Sequence, residues 1–208
     1  RTLAKEHGLN EEECELAGLL HDCAKCMPLQ TLQSIARDHR LLLDKETFSN
    51  ENLLHGPVGA VLAETEYGVC SANILSAIRC HTTGRVGMLP TDMALFLADK
   101  IEPSRRTYPA LEEVRELSKD NLVKATLTSM RSTQAYVSRQ NAPLHPTTQS
   151  VIRWLERLPR PLGIMACNDV RGQHVLDACR QLGAAVPDDI AVVGVDNAET
   201  FCELCDPP

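Results

Sequence analysis

From Arg1 to about Leu158 the apolar residues recur at helical spacing, and beyond Pro159 they gather into short runs. That change limits the fold to a helical first part and a second part with a parallel sheet, because one apolar period cannot serve both kinds of element. In the first part, Asn10 followed by Glu13 resembles a capping box, and Cys14, Ala17, His21 and Ala24 then share one helical face. Ser71 is expected to cap a helix with Ile74, Leu75 and Ile78 as its stripe. Thr91 is expected to cap another, Asp92 to Ile101, which Pro103 ends. Further helices are predicted at Pro57–Glu66, Leu111–Leu117 and Asp120–Val137. In the second part Leu162–Ala166 and Ile190–Val195 read as strands around a helix Val170–Leu182 that Gly183 closes. The boundary falls in Arg153–Pro161, with its two prolines. The expected organisation is residues 1–158 as a helical unit and 159–208 as one β-α-β unit.

Composition narrows the function. The 208 residues are 43% hydrophobic, enough to bury a core, and 21 Lys and Arg stand against 28 Asp and Glu for a net charge of -7. That balance argues against broad phosphate-backbone binding, and 3% aromatics argue against stacking on single strands, so no DNA or RNA partner is expected. No apolar run approaches the roughly 18 residues needed to span a bilayer. Nine scattered cysteines fit reduced thiols better than a disulfide framework, and a cytoplasmic location is expected. The chain opens at Arg1, inside a helix-like stretch without Met, and reads as part of a longer sequence.

The chemistry concentrates at His21 and Asp22, with Lys25 one turn on. A neutral imidazole beside a carboxylate can reach one hard or borderline divalent ion, and a lysine on the same face can meet a phosphate that the ion holds. A partly buried His beside a surface Asp is the competing reading. Three more positions favour the ion. Asp99 lies on the face of Leu95 and Ala98, where a carboxylate needs a metal or a buried cation. His81 leads into Thr82-Thr83-Gly84-Arg85, a polar turn suited to an anion. His55 precedes Gly56-Pro57, where a helix start would offer free N–H groups.

The segments His21-Asp22-Cys23-Ala24-Lys25, Leu54-His55-Gly56-Pro57-Val58-Gly59-Ala60, Ile78 to Arg85, and Ala98-Asp99-Lys100-Ile101-Glu102-Pro103 resemble the HD superfamily. Within it they are similar, in the same order, to the YqeK-type symmetrical diadenosine tetraphosphate hydrolases. The resemblance implies an HD-domain helical bundle and cleavage of a dinucleoside polyphosphate at its centre to two ADP. It implies a divalent metal, iron first, with manganese, magnesium and cobalt as alternatives, and it admits a homodimer. His21, Asp22 and Asp99 would ligate the metal, with another His expected upstream of Arg1. His7 does not replace it, because it falls in the turn His7-Gly8-Leu9-Asn10. Asp22, Lys25, His55 and His81 would be catalytic. Asp22, Cys23, Ala24, Lys25, His55, His81, Thr82 and Arg105 would surround the nucleotide, with Pro143, Leu144, His145, Pro146, Thr147 and Thr148 as a more loosely matched loop. Other nucleotide substrates of HD phosphohydrolases, and a nucleotide-binding module without catalysis, are the alternatives.

The last fifty residues carry a different resemblance. Pro161 to His174 and Val186 to Asn197 are similar to the effector domain of LacI-type, xylose-responsive regulators, a periplasmic-binding-protein-like sandwich. Asn168-Asp169 and Asp196-Asn197 would end its strands, with Asp169 and Asp196 as sugar contacts. The match covers a fraction of such a domain, so a sugar-responsive regulator is the weaker alternative. A four-thiolate zinc site from Cys23-x-x-Cys26 and Cys202-x-x-Cys205 is weaker still.

Overall fold

Short-range signals set most of the helices. The computed structural model describes residues 1–140, 142–158, 162–181, 186 and 190–194, and the chain divides into two compact units, Arg1–Glu156 and Arg157–Pro208. Among its described residues the first unit holds helices and no strand: α1 Thr2–Glu6, α2 Glu11–Leu20, α3 Leu29–Asp38, α4 Lys45–Phe48, α5 Glu51–Thr65, α6 Ala72–Cys80, α7 Pro90–Ile101, α8 Leu111–Asp120, α9 Leu122–Arg139 and α10 Pro146–Glu156.

Several starts differ from the sequence reading, each for a local reason. Asn10 does cap α2, accepting from the Glu12 and Glu13 N–H groups. The Glu13 carboxylate instead accepts from Ser71 Oγ and Asn73 Nδ2, so it ties α2 to the start of α6 rather than closing a box. Helix α5 begins at Glu51, capped by Asn50, and Pro57 lies inside it. Its missing N–H omits one rung of the ladder without ending the helix. Helix α7 begins at Pro90, not after Thr91, and the Asp92 carboxylate caps it by accepting from the Leu89 N–H. Asp120 ends α8 rather than starting a helix, and Asn121 caps α9. Helices α3, α4 and α10 lie in stretches the sequence reading passes over.

The core explains why α5 shows little amphipathic character. One apolar cluster joins Ala17, Ala60, Ala63, Val69, Ile74, Ala77, Ile78 and Leu95, from α2, α5, α6 and α7. A second joins Ala24, Leu32, Ala36, Leu54 and Val58, from the turn after α2, α3 and α5. Helix α5 runs between the two, so it is apolar on both sides, and each fully buried Leu there contributes about 2–3 kcal/mol. His55, in the stretch of α5 between the two clusters, is therefore carried into the interior.

In the second unit β1 Leu162–Met165 and β2 Ile190–Val193 pair in parallel, Leu162 opposite Ile190 and Met165 opposite Val193, with α11 Asp169–Gln181 between them in sequence. The Ala166 N–H continues the ladder to the Val193 carbonyl. The predicted helix end at Leu182 and Gly183, and Val195, Asp196, Asn197, Cys202 and Cys205, lie outside the described residues.

Candidate metal centre

Helix α2 ends at Leu20, so His21 and Asp22 stand at its C-terminal exit rather than within it. Residues 21–26 follow as a run of tight turns, Lys25 N–H to Asp22 O and Met27 N–H to Ala24 O among their bonds. This exit lies against α5. A Cβ at Gly59 would come 3.5 Å from the His21 carbonyl and 3.6 Å from Cys23 Sγ. Helix α6 approaches the same helix one turn away. A Cβ at Gly56 would come 3.2 Å from the Arg79 carbonyl and 3.5 Å from the His81 ring. The 3.2 Å separation at Gly56 is tighter than a Cβ ordinarily tolerates, so this glycine lets α6 and His81 lie against the surface of α5 that carries His55, while the separations at Gly59 are ordinary contacts. His55 is thus not at a helix start with free N–H groups, as its Gly-Pro neighbours suggest, but buried one turn inside.

The result is a cluster of His21, Asp22, His55 and His81. Asp22 Oδ1 lies 3.2 Å from His55 Nε2 and 3.6 Å from His81 Nε2, and the two Nε2 atoms are 3.0 Å apart. Asp22 Oδ2 lies 3.4 Å from His21 Nε2 and 2.5 Å from Lys25 Nζ. The His21 and His81 rings meet edge to face at 5.1 Å. Each imidazole donates its Nδ1–H to a carbonyl: His21 to Gly18, His55 to Glu51 and His81 to Ile78. In a neutral ring that bond leaves Nε2 as a lone pair, and the Nε2 atoms of His55 and His81 face Asp22.

Burial fixes the charge state. It pushes His55 below the ordinary imidazole range and His81 down to about 4, so both rings are neutral at pH 7. Burial alone would raise Asp22, but the Lys25 hydrogen bond and the electrostatic effect of the neighbouring His21, Lys25 and His55 outweigh it and hold the carboxyl below its usual range. Two neutral nitrogen lone pairs and a carboxylate oxygen therefore converge with no hydrogen between them. Asp22 Oδ1 is buried without a hydrogen-bond partner. Such an arrangement is repulsive unless a cation sits among the three atoms. Donors about 2.1 Å from one ion, at tetrahedral to octahedral angles, stand about 3.0–3.4 Å apart; the 3.0 and 3.2 Å separations fall in that range and the 3.6 Å one lies just outside it. Nitrogen and carboxylate donors together suit a borderline first-row ion. Asp22, His55 and His81 fit a metal.

Asp99 stands outside this trio. Lys100 Nζ meets its carboxylate at 2.9 Å and Arg105 Nη1 at 3.4 Å. Burial would raise its pKa, and the charges of Lys100 and Arg105, with a smaller effect of His81, hold it low instead. Its neighbour Ala98 is exposed, so the face is less apolar than Leu95 suggests. In the turn after His81, read from the sequence as suited to an anion, two polar side chains already have protein partners. Arg85 is committed to the fully buried Asp92 at 2.7 Å and to Ser76 Oγ, and the Thr83 hydroxyl donates to the Gly84 carbonyl. Thr82 is half-buried beside His81. Cys23 donates weakly to the Gly59 carbonyl, and Ala24 is buried with no surface for a ligand. His7 bonds the Ser118 carbonyl, away from the cluster.

The loop before α10 is pinned at both ends. His145 Nδ1 takes the Thr147 N–H, and its Nε2–H points to Asp44 Oδ1 at 3.2 Å and Thr47 Oγ1 at 3.1 Å. The Gln149 side chain donates to the Leu144 carbonyl, and the Thr148 hydroxyl to the Thr83 carbonyl. Pro143 and Pro146 are exposed. Asp44 and Thr47 are the residues that sequence reasoning misses here. Nothing local in Asp44-Lys45-Glu46-Thr47 beyond a helix cap announces a partner 101 positions away.

The histidine shifts imply a pH dependence for the chain stripped of metal. A folded pKa near 4 against an ordinary 6.5 means the unfolded chain binds the proton first as pH falls. The stability of the apo chain is then constant above about pH 7, declines from 6.5 to about 4, and levels off below; His81 alone accounts for about 3 kcal/mol. Urea unfolding with chelator at pH 7 and pH 4.5 measures this. A His81→Asn chain with the same slope as the parent contradicts it.

Two families match the chain, and their ranges overlap at residues 91–104. The HD domain family matches residues 1–104, and the periplasmic binding protein-like domain family matches residues 91–208. Residues 91–156 of the second match are helices of the first unit, and β1, α11 and β2 account for its described remainder. The symmetrical bis(5'-nucleosyl)-tetraphosphatase of Bacillus subtilis (strain 168) is 36% identical over 156 residues, 74% of this chain and 81% of the relative. An HD superfamily hydrolase of Clostridium acetobutylicum, described as involved in NAD metabolism, superposes with a TM-score of 0.70 at 34% identity, over 74% of this chain and 81% of that one. The xylose operon regulatory protein of Haemophilus influenzae (strain ATCC 51907 / DSM 11121 / KW20 / Rd) is 47% identical over 51 residues, 24% of this chain but 13% of the regulator.

Proposed function

The chain belongs to the HD-domain family over residues 1–104 and to the periplasmic binding protein-like domain family over residues 91–208, and on the first of these memberships we propose that it splits dinucleoside tetraphosphates at their centre, diadenosine tetraphosphate giving two ADP. The convergence of Asp22 Oδ1, His55 Nε2 and His81 Nε2 within 3.6 Å carries the reading. The Bacillus subtilis relative, named for this reaction, supports the substrate.

Asp22, His55 and His81 would hold the ion, with His21 beside them and Asp99 at the edge. Iron is the first candidate, then manganese, magnesium or cobalt. When bound, such an ion polarises a phosphoryl oxygen and acidifies water. The protein's own residues do the rest. The carbonyls of Gly18, Glu51 and Ile78 fix the three imidazole tautomers so that no Nε2 proton competes for the site. Asp22, bound to the ion, would release Lys25 toward the substrate's phosphates, and Arg105 would join it from the Asp99 side. Residues 1–158 would carry this activity and 159–208 a partial sugar-binding-type unit.

Two measurements test the proposal. The chain loaded with each of the four metals is incubated with diadenosine tetraphosphate and the products are separated. ADP alone is expected; AMP with ATP overturns symmetrical cleavage. The similarity to the Clostridium acetobutylicum hydrolase, described as involved in NAD metabolism, makes NAD the competing substrate to run beside it. A Lys25→Ala chain is expected to keep its metal while KM rises about 10-fold or more, the loss of one charge-assisted bond to phosphate. Metal lost along with KM would mean that Lys25 acts through Asp22 instead.

A further inference from the structure

We propose that Cys23 and Cys26 form a modification site, a dithiol that a low-molecular-weight disulfide oxidises to an intramolecular disulfide, distorting the metal-holding turn. The part concerning activity rests on the reaction proposed above; the part concerning the bond and the metal does not.

The placement carries the proposal. Both thiols are free and belong to the run of turns at residues 21–26, one immediately after Asp22. Residues three apart in a tight turn keep their Cα atoms within about 7 Å, which overlaps the roughly 4.4–6.8 Å that disulfides span. The two thiols differ in access. Cys26 is exposed, while Cys23 is half-buried with Sγ directed at the Gly59 carbonyl at 3.6 Å. Cys26 is thus the thiol an oxidant meets, and Cys23 the one that resolves the adduct.

The chemistry balances as two exchanges. The Cys26 thiolate attacks one sulfur of the small disulfide, forming a mixed disulfide and expelling one small thiolate. Cys23 sulfur, giving up its proton, then attacks the Cys26 sulfur and expels the second. The two protein thiols lose two electrons and two protons in all, and one small disulfide becomes two small thiols.

Closure acts on the metal through the backbone. Cys23 Sγ must leave the Gly59 carbonyl, and the ring that forms encloses the fully buried Ala24 and also Lys25, whose Nζ holds Asp22. Cys23 directly follows Asp22 in the chain, so a shift of its sulfur away from the Gly59 carbonyl carries the Asp22 backbone with it and turns Asp22 away from His55 and His81.

The experiment treats the full chain with glutathione disulfide and follows mass, metal content and ADP formation. Trypsin cleaves after Lys25, between the two cysteines, so the bond reveals itself as peptides 6–25 and 26–37 held together until reduced. Cys14 shares the first peptide, and a Cys14→Ser chain keeps the assignment clean. The oxidised chain is expected to bind its metal about 10-fold or more weakly, restored by dithiothreitol, as for other losses of ligand orientation. Cys26→Ser is expected to retain activity and to resist glutathione disulfide. A mixed disulfide that stays on Cys26 without linking the peptides overturns the site. A linked chain with unchanged metal affinity overturns the switch. Because metal affinity is read apart from ADP, a wrong substrate cannot be mistaken for either failure.

Discussion

An Asp22→Ala chain is expected to lose metal affinity by at least about 100-fold and, with it, hydrolysis. Of the four clustered side chains His21, Asp22, His55 and His81, Asp22 alone is an anion, and both its oxygens face imidazole nitrogens. Losing a group that merely orients a ligand costs about 10–100-fold, and losing the charged donor itself should exceed that. What remains is imidazole nitrogens with the Lys25 ammonium nearby, a set without the negative charge that offsets the ion's. Asp22→Asn preserves the shape without the charge and should fare nearly as badly, which separates charge from packing. Elemental analysis after dialysis, with circular dichroism to show that the helices persist, is the measurement. Full retention of metal by either variant would move the centre elsewhere, with His21 and Asp99 the next donors to consider.

The second large effect is on stability, and it lies away from the metal. Asp92→Ala is expected to cost about 3 kcal/mol. The carboxylate is fully buried, accepts from the Leu89 N–H to cap α7, and meets Arg85 Nη2 at 2.7 Å. The cap contributes about 1 kcal/mol and the charged bond about 2. Arg85 is partly solvated, so its loss of a partner stays below the penalty of a wholly buried orphan. For a unit of this size the melting temperature should fall by roughly 6–12 °C. A change within the scatter of repeated scans would show the pair to be energetically neutral. Since Arg85 and Asp92 hold the turn that follows His81, some loss of metal affinity should accompany the loss of stability.

The helical class, the capping of α2 by Asn10, the β-α-β order of the second part and the pairing of His21 with Asp22 are all legible in the sequence. Each depends on residues a few positions apart, and caps and periodicity are short-range by nature. Legibility fails first at helix ends. Pro57 and Thr91 look like start signals, yet α5 begins at Glu51 and α7 at Pro90, because burial of α5 on two sides and the Asp92 cap outweigh the local preference. It is partial at Arg85 and Asp99. Asp99 reads as meeting a metal or a buried cation and has Lys100 and Arg105 beside it, while Arg85, read as part of a polar turn for an anion, pairs with Asp92.

By itself the sequence determined which residues could do chemistry and that they ride on helices. Only the tertiary structure decided which of them meet. His55 and His81 are 26 positions apart and read as phosphate contacts of one site with His21 and Asp22, but it is packing, with Gly56 letting α6 close on α5, that brings both Nε2 atoms to Asp22 Oδ1. The backbone carbonyls of Glu51 and Ile78 then choose the tautomers, and burial removes the protons. Distance, desolvation and lone-pair direction make a metal site, and all three arise from packing between elements, which no local pattern of residues encodes.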